Sequence, residues 1–147
     1  MTIGFLAQLE HFNIYRLLDS VTATNSPPSG ASAGLDISTI LQTFTKISVA
    51  ELEVFSTAGS ATMTVTGRLW VYDSTTTKWF PCGSGTGAAK GVINDGAAID
   101  ETGTDALLHT QPLYDLHVFE RIYLEITAIG GTNTAVTANI KIPREVA

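Results

Sequence analysis

Cysteine is nearly absent from this chain. Of 147 residues only Cys82 carries a thiol, so no internal disulfide forms. A small fold held shut by disulfides is excluded, and the redox compartment stays open. Charge is scarce too: charged residues make up 15%, and 8 basic against 14 acidic residues leave a net charge of −6. With no basic run, the chain is a poor match for phosphates, so no nucleic-acid partner is expected. No stretch approaches the roughly 18 consecutive apolar residues that span a bilayer, so no membrane partner is expected either. Met1 to Glu10 lacks a positive start followed by an apolar run and a small-residue cleavage site. The expectation is a protein that works where it is made or leaves by lysis.

What is present points to strands. Hydrophobic residues reach 44%, too many for a disordered chain. Thr and Ser fill the space that charges leave, and β-branched Thr suits a half-buried pleated surface. The length suits one domain, or one domain with an arm.

After Gly34 the hydrophobic period is two nearly throughout. Ala50, Leu52 and Val54 share one face, as do Met63, Val65, Gly67, Leu69 and Val71. Ile122, Leu124 and Ile126 repeat the pattern, then Val136, Ala138, Ile140 and Ile142. Leu69, Val71, Ile122, Leu124, Ile126, Val136 and Ile140 are the expected core. Pro81 places Trp79 to Cys82 at a sheet edge or ends the strand there. Gly130 to Thr134, between two alternating runs, reads as a hairpin turn. Phe44 to Val49 echoes Phe119 to Leu124, and each leads through a Gly-containing turn into a Thr-rich strand. Two related halves, as in paired Greek keys, would produce that echo; so would any two amphipathic hairpins.

Before Gly34 the pattern is less regular. Asn25 to Gly34 holds two prolines, two glycines and three serines, a linker or a long loop. Phe12 onward alternates as a strand, although Phe5, Leu6, Leu9 and Phe12 also stand near helical spacing. Residues 1–33 are therefore read as an N-terminal arm and linker and 34–147 as the sandwich domain. The competing reading makes Phe12 to Ala23 the first strand of the sandwich.

Residues that carry chemistry form no constellation in the sequence. His11, His109 and His117 lack metal-ligand spacing. Asp95, Asp100, Glu101 and Asp105 fall in a loop-rich stretch but match no calcium-loop pattern. Gly83 to Gly87 holds a serine between glycines, yet neither a nucleophile elbow nor a dinucleotide fingerprint. Cys82 has no neighbour in sequence to activate it. No enzyme and no cofactor is expected. The candidate partner-binding residues are aromatic or apolar: Phe5, Leu9, Phe12 and Tyr15 in the N-terminal stretch, and Trp70, Tyr72 and Trp79 on the polar strand face. The outward aromatics could instead be covered, or read sugars.

Gly67-Arg-Leu-Trp-Val-Tyr-Asp73 and Phe119-Glu-Arg-Ile-Tyr-Leu-Glu-Ile-Thr-Ala-Ile-Gly-Gly-Thr132 resemble the capsid decoration, or cement, proteins of tailed bacteriophages. The likeness covers roughly residues 44 to 142 and is one of style. It implies an all-β, antiparallel β-sandwich of jelly-roll type. It further implies a non-enzymatic virion protein on the outer capsid surface, assembled in the host cytoplasm, often as a homotrimer that bridges major capsid protein subunits. The alternative is a carbohydrate-binding or adhesion module.

Overall fold

A computed structural model of the chain describes residues 12–38, 49–57, 62–83, 85–94, 99–102, 106–114, 118–131 and 134–143. The named elements are strands, apart from one 3-10 turn at Gly87–Ala89. In chain order the strands are β1 (Phe12–Val21), β2 (Leu35–Asp36), β3 (Val49–Thr57), β4 (Thr62–Asp73) and β5 (Lys78–Pro81). There follow β6 (Ile99–Thr102), β7 (Ala106–Tyr114), β8 (Arg121–Gly130) and β9 (Ala135–Pro143). They build two antiparallel sheets around one core, an all-β sandwich. Sheet A has the order β1-β9-β3-β7. Sheet B has the order β2-β8-β4-β5, with β6 also paired to β4.

Period two explains the core. Leu52 and Val54 of β3 meet Ile140 and Ala138 of β9 across the ladder, and Leu69 and Val71 of β4 meet Leu124 and Ile122 of β8. All eight are at most 1% exposed, and the seven residues expected in the core are all buried. Burying one such Leu or Ile stabilises the fold by roughly 1.5–3 kcal/mol.

Chain connections depart from the sequence reading at two links. Gly130 to Thr134 does not close a hairpin, because β8 lies in sheet B and β9 in sheet A. The same holds for β3 and β4. Both links are arches that carry the chain from one sheet to the other. Alternation fixes which side chains face inward, and an inward face is shared by both sheets, so it cannot tell a hairpin from an arch. Thr134 Oγ1 donates to Gly130 O at 2.9 Å within the second arch. A hairpin does join β4 to β5, where Asp73 pairs with Lys78. There the Asp73 carboxylate accepts from the backbone N–H groups of Thr75 and Thr76.

The second neighbour of β4 is composite. β5 pairs with Trp70 to Asp73 and β6 with Thr62 to Val65. Between them Ile93 N donates to Gly67 O and Leu69 N donates to Gly91 O. The loop-rich stretch after Gly83 thus sends Ile93, 1% exposed, into the core.

Phe12–Val21 settles the N-terminal alternatives for the described part. It is a strand of the sandwich, paired with the chain's own β9 from Phe12↔Pro143 to Val21↔Val136. Residues 22–34 then run along sheet B as a strap. The 33/34 boundary therefore divides nothing in the described structure. The physical reason is that Tyr15, Leu17, Leu18 and Val21 pack against the core. Residues 1–11 lie outside the described residues.

Candidate functional site

Three surfaces bring together residues with recognition chemistry. The first is the outer face of sheet B, where the candidate aromatics sit. Tyr72 and Trp79 have ring centroids 5.3 Å apart, and Trp79 meets Tyr123 edge-on at 6.1 Å. The Arg68 guanidinium lies 5.0 Å from the Trp70 ring. Trp70 Nε1 donates to a carboxylate oxygen of Glu125 at 2.8 Å, and Glu125 is 8% exposed.

The chain itself engages this face. Trp79 Nε1 donates to Gly30 O at 2.8 Å and Tyr123 Oη donates to Ser26 O at 2.9 Å. Arg121 donates to the carbonyls of Ser32, Ala33 and Gly34. Asn25 ties the start of the strap to β8: its Oδ1 accepts from Ile126 N–H at 2.6 Å and its Nδ2 donates to Leu124 O at 3.2 Å. Gly34 has φ +69°, and a Cβ there would run into the Ile122 carbonyl oxygen, so only glycine fits that approach. Of the two readings of these aromatics, open platform or covered face, the structure takes the second for Tyr72, which is buried; Trp70 and Trp79 are half-buried. Burial of Tyr123, with the Glu125 charge beside it, pushes its phenol above the usual tyrosine range.

The second surface is the outer face of sheet A. Arg16 Nε donates to Asn139 Oδ1 at 2.7 Å, Asn139 Nδ2 donates to Glu53 Oε1 at 3.1 Å, and Lys141 Nζ reaches Glu53 Oε2 at 2.7 Å. These bonds from Lys141 and Asn139, aided by the lysine charge, outweigh the desolvation of Glu53 and hold its carboxyl below the usual range. Register places Ile14 opposite Lys141, Lys141 opposite Glu51, and Glu51 opposite Pro112. Ile14 is 58% exposed at one side of this face and Tyr114 63% exposed at the other. Neither stood out in the sequence, although period two alone places Ile14 beside Arg16.

The third is a groove of about 580 Å³ between β7 and the loop from Cys82 to Asn94. It opens where the last strand of sheet A and the composite edge of sheet B fail to meet. His109, Gln111 and Leu113 line it from β7. Gln111 Oε1 accepts from the Asn94 N–H at 3.1 Å and stands 3.0 Å from His109 Nε2. Cys82 lines it too, half-buried; burial pushes its thiol up, and the Lys90 charge offsets only part of that.

The remaining candidates are quickly placed. Phe5, Leu9, His11, His117, Asp95 and Asp105 lie outside the described residues. Phe12 opens β1, and Asp100 and Glu101 lie in β6, with backbone alone described. Tyr15 is half-buried against the core. Among the described residues no group of three His, Cys, Asp or Glu side chains is placed to hold a metal ion.

No protein-family model, curated protein or solved structure matches the chain.

Proposed function

We propose that this chain is a non-enzymatic virion structural protein that decorates the outside of a tailed-phage capsid and bridges major capsid protein subunits. The observation that carries the reading is the outer face of sheet A. Glu53 and Lys141 form an ion pair there, Asn139 links Glu53 to Arg16, and exposed Ile14 and Tyr114 flank this network. Such a face presents a preset pattern to a partner, and its charged groups need little reordering on contact. The likeness of Gly67 to Asp73 and of Phe119 to Thr132 to decoration proteins supports the same assignment. The strand orders β1-β9-β3-β7 and β2-β8-β4-β5 support a jelly roll, in which strands from opposite ends of the chain become neighbours. The net charge of −6 suits a surface turned away from packaged DNA. The chain assembles in the host cytoplasm, as a homotrimer that sets identical contacts around a capsid symmetry axis.

The test is immunogold labelling and imaging of particles from a lysate in which the chain is made with its capsid protein. Label on the heads is the expected result, lost in an Ile14→Lys, Tyr114→Lys double variant that still folds. Label confined to tails, or heads that stay bare, overturns the assignment. The alternative of a sugar-reading module built on Trp70, Tyr72 and Trp79 has less support, since the strap engages that platform.

A further inference from the structure

We propose that the groove between β7 and the Cys82 to Asn94 loop binds a neutral saccharide. The proposal goes beyond capsid docking: the groove's polar groups, His109 and Gln111, stand apart from the sheet A docking face, and Tyr114 borders both surfaces. Its volume of about 580 Å³ falls inside the roughly 300–1,000 Å³ common for small-ligand sites.

The lining is built for a ligand rich in hydroxyls. Gln111 Oε1 faces two donors, the Asn94 N–H and His109 Nε2, which fixes the orientation of the amide. The Gln111 NH2 group then offers two donors. In the neutral tautomer whose Nε2–H points at Gln111, Nδ1 of His109 is an acceptor. A donor pair and an acceptor two residues apart on one strand match vicinal hydroxyls, each of which both donates and accepts. Tyr114, 63% exposed, borders the groove with a ring suited to the C–H face of a pyranose.

Two further features select this ligand class. The described lining contains no Asp, Glu, Lys or Arg, and the Lys90 charge acts on it only through Cys82 at one end, so the polar groups by β7 favour an uncharged ligand. Pro112 also lies in the wall, on an edge strand where a proline turns its nitrogen to the open side. A peptide adding as a strand would lack a ladder bond there, whereas a sugar needs no ladder. The opposite wall is rigid, because Ile93 is buried and the Gly91 and Ile93 backbones are bonded to β4. A preformed wall lowers the cost of ordering on binding.

The experiment is NMR titration of the isolated chain with methyl glycosides of glucose, galactose, mannose and N-acetylglucosamine, and with glucuronate as the anionic comparator. The expected result is millimolar binding of at least one neutral glycoside, with amide shifts at Asn94, Thr110, Gln111, Leu113 and Tyr114. Gln111→Ala should weaken it about tenfold, the effect of one lost hydrogen-bonding group in a groove. Tyr114→Ala, on an exposed side chain that cannot unfold the core, should weaken it as well. Binding of none of the neutral sugars, equal binding of glucuronate, shifts confined to the Trp70 and Trp79 indoles, or unchanged affinity in both variants would each overturn the proposal. Because the isolated chain is the sample, this outcome is independent of whether capsid docking holds.

Discussion

Asn25 performs the work of a strand with one side chain, and removing it should cost more than its loop position suggests. β8 has β2 beside it only at Ile122 and Arg121. Further along, the Asn25 amide takes the place of a neighbouring peptide group: it accepts from Ile126 N–H and donates to Leu124 O, while its own backbone N–H donates to Ile126 O at 3.2 Å. Leu124 and Ile126 are buried residues, so water reaches their peptide groups poorly once the strap lies over the edge. Each lost hydrogen bond costs about 0.5–1.5 kcal/mol net, and more where the partner stays unsatisfied. Asn25→Ala should therefore destabilise the fold by about 1–3 kcal/mol. For a chain of this size that lowers the melting temperature by about 2–4 °C per kcal/mol.

Asn25→Asp sharpens the test. A carboxylate still accepts from Ile126 N–H but cannot donate to Leu124 O, and it sets two acceptors against each other. Protonating it restores a donor, so this variant should recover stability as pH falls toward 4, roughly the usual carboxylate pKa. Urea denaturation gives the stability and amide hydrogen exchange reads the site. The Ile126 amide should exchange about tenfold faster for every 1.4 kcal/mol lost locally in the Ala variant. If Asn25→Ala unfolds at the wild-type urea concentration and Ile126 exchange does not change, the amide is not standing in for a strand.

Four other outcomes follow from the packing and the charges. Ile140→Ala, at a residue with 0% exposure between β1 and β3, should cost about 2–5 kcal/mol in urea titrations, and a near-neutral result would mean the core is misassigned. Glu53 has a folded pKa below its unfolded value, so its contribution is present above the unfolded pKa and fades as pH falls through the folded one; Glu53→Gln should flatten acid unfolding below about pH 4.5 while leaving that slope unchanged at neutral pH. Deleting Met1 to Ala23 removes β1 and bares the edge of β9, so circular dichroism should show loss of structure and not a folded, arm-less core. Pro112→Val restores an N–H to the β7 edge and should make sedimentation depend on concentration; unchanged sedimentation would mean the edge needs no guard.

The inward faces were legible because one rule governs them. Period two assigns Leu69, Val71, Ile122, Leu124, Ile126, Val136 and Ile140 inward whichever sheet each strand joins. Pairing was not legible for the same reason. Gly130 to Thr134 carries good turn chemistry, and an arch between sheets uses the same residues as a hairpin within one. The strap was hidden for another reason. Ser26 to Gly34 contributes mainly carbonyl oxygens, which every sequence has, and the side chains that hold it stand elsewhere: Trp79, Arg121 and Tyr123. The alternation of Arg121, Tyr123 and Glu125 along β8 did place them outward, and that was the available signal. The groove escaped because His109 and Gln111 look like ordinary inward positions until β7 proves to be the edge of sheet A, with a groove beside it.

The edges bear on how this sandwich meets partners. β1 carries two register shifts and Ser20 at φ 50°, β5 ends in Pro81, β7 contains Pro112, and β8 is capped by Asn25. Bulges, prolines and side-chain caps all interrupt the row of free peptide groups that another strand would need. Partner contact through added strands is thereby disfavoured at each of these edges. The outer face of sheet B is engaged by the strap, which leaves the outer face of sheet A as the broad described surface for a protein. Its central ion pair argues for a partner selected by shape and by the apolar contacts of Ile14 and Tyr114, because Glu53 and Lys141 already satisfy each other. Docking of this kind should depend weakly on salt, and a steep loss of binding between low and physiological ionic strength would point to an unpaired charge as the main contact.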